Sequence, residues 1–234
     1  MTRMTLDSEI IRKLAHSGLK TLSSLTDLFQ LYDMDATHGL HDPATRKSFH
    51  RSLHSLSQAI RDLRLIAICA DMADEPRHPM DWKSVINDHS SGRYKGAVEV
   101  SSDEVDYRGD GYGELIGFAV ENIAWFAKKF WKSPVRARLG IVEKDGRPWV
   151  RCVWEFGGAI AVGPEFESFS PFHPMFPKES LALDQSTGLA LCACREVAKL
   201  HGGDLVAHAK EGSLIIEWDC PKSGGKPPRL EALV

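Results

Sequence analysis

The chain has 234 residues, 43% hydrophobic and 26% charged, a composition that excludes a disordered polymer and a length that allows one or two domains. A net charge of -3 supplies no field for gripping a polyanion, so nucleic acid is not an expected partner. The opening MTRMTLDSEI lacks the apolar stretch of a signal peptide and no run of about 18 apolar residues occurs, so a cytoplasmic protein without a membrane span is expected.

Residues 8 to about 35 carry apolar side chains at Ile11, Ala15, Gly18, Leu22, Leu25, Phe29 and Tyr32, an alternating four-three spacing that predicts an amphipathic helix with a heptad seam. Gly39 is a stop signal, and Asp42-Pro43 supplies an N-cap and a first helical residue for a second helix. That helix repeats the seam at Phe49, Leu53, Leu56, Ile60, Leu63, Ala67 and Ala70. Two such helices form an antiparallel hairpin, and a lone hairpin leaves its apolar face uncovered. The economical solution is a four-helix bundle from two chains, hence a homodimer; the alternative is that both helices pack on the C-terminal sheet of the same chain.

Pro76 and Pro79 break the pattern, which sets a hairpin domain at 1–75, a linker at 76–81 and a second domain from Trp82 to about residue 220, with 221–234 as a disordered tail. The second domain reads as a short helix, weak strands in AVEVSS and EVDYRG, and an apolar helix over 111–131. Two strands follow, near Arg136–Val142 and Trp149–Phe156, joined by a Lys144-Asp145-Gly146 hairpin turn. After a Gly/Pro/Phe-rich stretch comes a helix over Thr187–His201, then a hairpin of Leu205–Ala209 against Ser213–Trp218. This order predicts an α+β protein whose second domain is a sandwich with helices on one face of a mixed sheet. The cysteines at 69, 152, 192, 194 and 220 are odd in number and sit in apolar segments, so they read as buried thiols of a reducing compartment; Cys192 and Cys194, two apart on a helix, point to different faces and predict no metal site.

Several segments carry a resemblance. LAHSGLKTLSSL places His16 early in the first helix, ENIAWFAKKFW contains Asn122, Ala127, Lys129 and Phe130, and VWEFGGAIAVG contains Glu155 and Gly157. FESFSPF, the turn STGLAL with Gly188, and the run LeuHisGlyGly at 200–203 follow. Together they resemble the phosphoacceptor hairpin, N-box, adenine-binding box, lid and G2 turn of the histidine kinase superfamily, over about residues 8 to 220. The likeness implies a dimerisation and phosphotransfer hairpin followed by an ATPase-like (Bergerat-type) domain, closest in layout to bacterial histidine phosphotransferases. It also implies a phosphoacceptor at His16 and a nucleotide pocket built from Asn122, Lys129, Glu155, Gly157 and Gly188.

That pocket departs from the family pattern. Phe126 stands where a magnesium-binding asparagine belongs and has no oxygen to offer the metal. Glu155 replaces an aspartate, Ala159 and Ala190 replace glycines, and Ser17 cannot act as the base that an acidic neighbour of the histidine provides. These changes predict lost or weak ATP binding and no resident cofactor or metal. A phosphotransferase needs only a positioned, reachable imidazole, because receiver domains bring their own metal and acidic site. The first expectation is therefore a histidine phosphotransferase passing phosphate between His16 and response-regulator receivers, supplied by an upstream sensor kinase; His54 in the second helix is the competing acceptor. The alternatives are an atypical kinase that uses ATP and magnesium, and a non-catalytic dimeric adaptor. In the adaptor, the aromatic segment GPEFESFSPFHPMF is a binding loop rather than a plug of the old nucleotide cleft.

Overall fold

The computed structural model describes residues 43–91, 96–130, 135–157, 189–210 and 213–223. Helix α1 (Pro43–Asp71) begins at the proline whose fixed φ suits a first helical position, and a short 3-10 turn, Met72–Asp74, ends it. Strand β1 (His78–Asp81) follows inside the expected linker and pairs antiparallel with β3 (Arg108–Gly111), so these four residues form a strand where two prolines suggested a linker. A two-stranded edge tolerates Pro79, which cannot donate to a ladder. Asp81 caps α2 (Trp82–Ser91) by accepting from the backbone N–H of Lys83 and Ser84 at 3.3 and 3.2 Å.

The main sheet runs β2-β4-β5-β7-β6, with β2 (Val98–Ser102) parallel to β4 (Val135–Lys144). The other pairs, with β5 (Arg147–Phe156), β6 (Asp204–Lys210) and β7 (Ser213–Pro221), are antiparallel. The β4–β5 turn falls at the predicted place; Asp145 and Gly146 have φ of 53° and 67°, the left-handed pair of a tight two-residue hairpin. Alternation decides the faces. Ala137, Leu139, Cys152, Trp154, Phe156, Leu214, Ile216 and Trp218 are buried under helices, while Arg136, Arg138 and Glu155 lie on the open face.

The helical layer is α3 (Gly113–Phe130) beside α4 (Leu189–Leu200). Nine of the twelve residues of α4 are buried, so it is enclosed on nearly all sides, and both Cys192 and Cys194 are covered. The cause is α1, which packs along α4 and contributes Leu65 and Cys69 to the same apolar core as the sheet. Among the described side chains of α1, Gln58, Asp62, Leu65 and Cys69 are buried, a four-three-four spacing, and that stripe lies roughly 160° around the helix from the positions of Leu56, Ile60, Leu63 and Ala67. Helix α1 thus has one face committed to the helices of its own chain, and a separate seam on the opposite side. The packing is on α3 and α4, not on the sheet. The first hairpin helix, residues 8–35, lies outside the described residues, as does the tail beyond residue 223. Among the described residues no helix is long and apolar enough to cross a membrane.

Candidate functional site

The C-terminal run of α4 shows why LeuHisGlyGly is so specific a signal. Gly202, with φ of 78°, donates to the Lys199 carbonyl at 2.8 Å, and Gly203 donates to the Ala198 carbonyl at 2.9 Å, the paired bonds of a Schellman helix stop. Residue 203 must be glycine because an added Cβ would overlap the carbonyl oxygen of Asp219 on β7. His201, fully buried, accepts from the Tyr112 N–H through Nε2 at 3.0 Å and donates from Nδ1 to the Val197 carbonyl at 2.7 Å. Burial lowers its pKa to about 4, and the Nδ1–H tautomer ties the end of α4 to the start of α3. The motif is a structural joint.

Helix α3 places Asn122 and Phe126 one turn apart. Phe126 is 1% exposed, its ring edge-on to Phe156 of β5 at a centroid distance of 5.7 Å, so it is a core side chain between helix and sheet. Asn122 turns toward α1. Its Nδ2 donates to Asp62 Oδ1 at 2.9 Å, while Gln58 Nε2 donates to Asn122 Oδ1 and to Asp62 Oδ1, each at 3.0 Å. Asp62 is 1% exposed, and burial pushes its carboxyl up to about 7, although both amides and the charge of Arg61 pull the other way. Helices α1 and α3 run antiparallel here, since Tyr112, just before α3 and ten residues from Asn122, donates from Oη at 3.0 Å to the carbonyl of Met72, just after α1 and ten residues from Asp62. His54 lies on the α1 backbone one turn before Gln58, and its side chain is outside the described residues.

Glu155 stands apart. Its neighbours Trp154 and Phe156 face the helices, whereas Glu155 faces the open side of the sheet and pairs with Arg136 Nη2 at 2.8 Å. It lines a shallow groove with Ser101, Arg138, Val153 and Ile215. Asn122 and Glu155, expected in one pocket, are therefore on opposite sides of the sheet. The strand's period of two forces this, because a glutamate next to a core phenylalanine must point away from the core. Gly157 is exposed just past the end of β5, and a Cβ there would meet no atom of the described residues within 4 Å. Lys129 lies in the last turn of α3, its side chain outside the described residues, as are His16 and Gly188 altogether. No group of three or more His, Cys, Asp or Glu among the described residues could hold a metal ion. Gln58 and Asp62 belong to no family motif; their signal in the sequence is a polar pair four apart in line with Leu65 and Cys69, off the heptad seam.

A long helix laid against a two-layer sandwich, with a five-stranded mixed sheet under paired helices, resembles the fold of solved histidine kinases. The Acinetobacter baumannii histidine kinase AdeS superposes on 88% of this chain and 98% of its own, with a TM-score of 0.63 at 14% identity. Histidine kinase ThkA, in a complex with the response regulator protein TrrA, matches 94% of this chain and 63% of its own at TM-score 0.64 and 16% identity. Full-length ShkA in complex with AMPPNP matches 92% of this chain and 45% of its own at TM-score 0.53 and 16% identity. No protein-family model and no curated protein matches the chain.

Proposed function

We propose that this protein is a dimeric histidine phosphotransferase of a two-component phosphorelay, with His16 as the phosphoacceptor and receiver domains of response regulators as partners. The observation that carries the reading is the engagement of Asn122 by Gln58 and Asp62. The one N-box residue that kept its oxygen is held by α1, and its neighbour Phe126 is sealed in the core. An amide already satisfied by two partners has little to offer a hydrated magnesium ion, which demands close oxygen ligands. Glu155 lies on the far side of the sheet from Asn122, which supports a weakened nucleotide pocket. The phosphoryl group then passes from a receiver's aspartyl phosphate to the unprotonated imidazole of His16, breaking an acyl P–O bond and forming a P–N bond, and leaves by the reverse step on a second receiver. The complex of ThkA with a response regulator supports receivers as the partner class. The second seam on α1, opposite the face that meets α3 and α4, supports a bundle shared by two copies.

ShkA shares the fold and holds AMPPNP, which favours one competing reading, an ATP-dependent kinase. One experiment separates them. The full chain is incubated either with a phosphorylated receiver or with labelled ATP and magnesium. Label arriving from the receiver, lost in His16→Ala and kept in His54→Ala, is the expected result. Label from ATP makes the protein a kinase, loss in His54→Ala instead moves the site to the second helix, and receiver binding with no label from either source makes it an adaptor. Sedimentation of the full chain tests the dimer.

A further inference from the structure

Helices α1 and α3 border an open cleft of about 670 Å³, on the side of the Asn122 cluster toward the start of α3. Clefts of about 300–1,000 Å³ are the size of small-molecule sites. Leu65, Ile68 and Leu115 form its apolar wall, and Phe118 stands at its edge, 50% exposed. The polar end is unbalanced in charge. Among the described residues that line it, Asp62, Glu114 and Glu121 contribute three carboxyl groups and Arg61 one guanidinium, with His78 at the margin. From the elements packed there, His89 of α2 faces Glu121, its Nδ1 2.9 Å from Oε1, and Gln58 and Asn122 hold Asp62.

We propose that this cleft is a binding site for an amphipathic organic cation, a primary amine on an aromatic or branched aliphatic body, whose ammonium group sits beside Asp62. An anion would meet three carboxyl groups, and a neutral apolar molecule would gain no charge-assisted bond from the acid. A cation turns that acid into its partner: the protonated Asp62 carboxyl releases its proton to solvent, and the resulting carboxylate pairs with the ammonium group, which keeps all three of its protons. The apolar body covers Phe118 and the Leu65–Ile68 wall. The site needs neither His16 nor a receiver, so it stands or falls independently of the phosphotransfer reading.

The test uses the full chain and three probes of one shape: 2-phenylethylamine, 2-phenylethanol and 3-phenylpropionate. Calorimetry near pH 6.5, in two buffers of different ionisation enthalpy, reads affinity and proton release together. The amine is expected to bind at least about tenfold more tightly than the alcohol or the acid, equivalent to about 1.4 kcal/mol, and to release a fraction of a proton. Asp62→Asn should remove both the preference and the release, and Phe118→Gln, at an exposed position, should weaken the amine without changing proton release. Equal binding of amine and alcohol, retention of the preference in Asp62→Asn, or no binding of any probe at millimolar concentration would each overturn the proposal.

Discussion

Replacing Asp62 by asparagine should stabilise the protein, and by an amount that depends on pH in a calculable way. The substitution keeps the shape, and the new amide oxygen still accepts from Gln58 and Asn122, so the hydrogen bonds of the cluster survive. What changes is the charge. Asp62 titrates near 3.8 when unfolded and at about 7 when buried between α1 and α3. Below pH 3.8 both states carry the proton; between 3.8 and 7 only the folded state does, so the wild type loses stability as pH rises; above 7 the loss is complete. The span of 7 minus 3.8 is about 3 units, and at 1.36 kcal/mol per unit the full effect is about 4 kcal/mol. The variant has no such group. The difference in unfolding free energy, variant minus wild type, should therefore climb by about 1.4 kcal/mol per pH unit and level off above pH 7. Denaturant titrations at four pH values between 4 and 8, followed by the fluorescence of the six tryptophans, measure it directly. A difference that stays flat across that range would refute the idea that Asp62 is held protonated between the helices.

The same methods test three further points. Restoring the asparagine of the family pattern by Phe126→Asn should not restore nucleotide binding, because residue 126 faces Phe156 inside the core; titration with magnesium and ATP should stay silent while stability falls by about 3–5 kcal/mol. His201→Leu strands the Tyr112 N–H and should cost about 1–3 kcal/mol at pH 7.5. Its folded pKa of about 4 lies below the unfolded 6.5, so the wild type itself loses about 3 kcal/mol as pH falls from 6.5 to 4, and the penalty of the substitution should shrink over that window. At the end of α4, Gly203→Ala should be more destabilising than Gly202→Ala. The first drives a methyl group into the Asp219 carbonyl, while the second only strains a φ of 78° at about 1 kcal/mol; thermal midpoints of the two variants give the order.

The elements of this protein are written locally. The helix beginning at Pro43, the apolar helix α3, the Asp145-Gly146 turn and the β6–β7 hairpin all fall close to where periodicity and turn chemistry put them, because a strand's period of two, a helix's of 3.6 and a left-handed turn pair depend on near neighbours in the chain. The His-Gly-Gly stop was equally visible, though its reason, the close approach of Gly203 to β7, was not. What sequence alone could not decide is which faces meet. Helix α1 reads as one seam, yet it carries a second stripe through Gln58, Asp62, Leu65 and Cys69. Only the packing of residues some 60 positions apart shows that this stripe closes on Asn122 and α4. Glu155 gives the same lesson in a strand. A motif match of one residue cannot tell which side of a sheet a side chain takes, and the phenylalanine next to it, drawn into the core by burial of its ring, settles the matter for both.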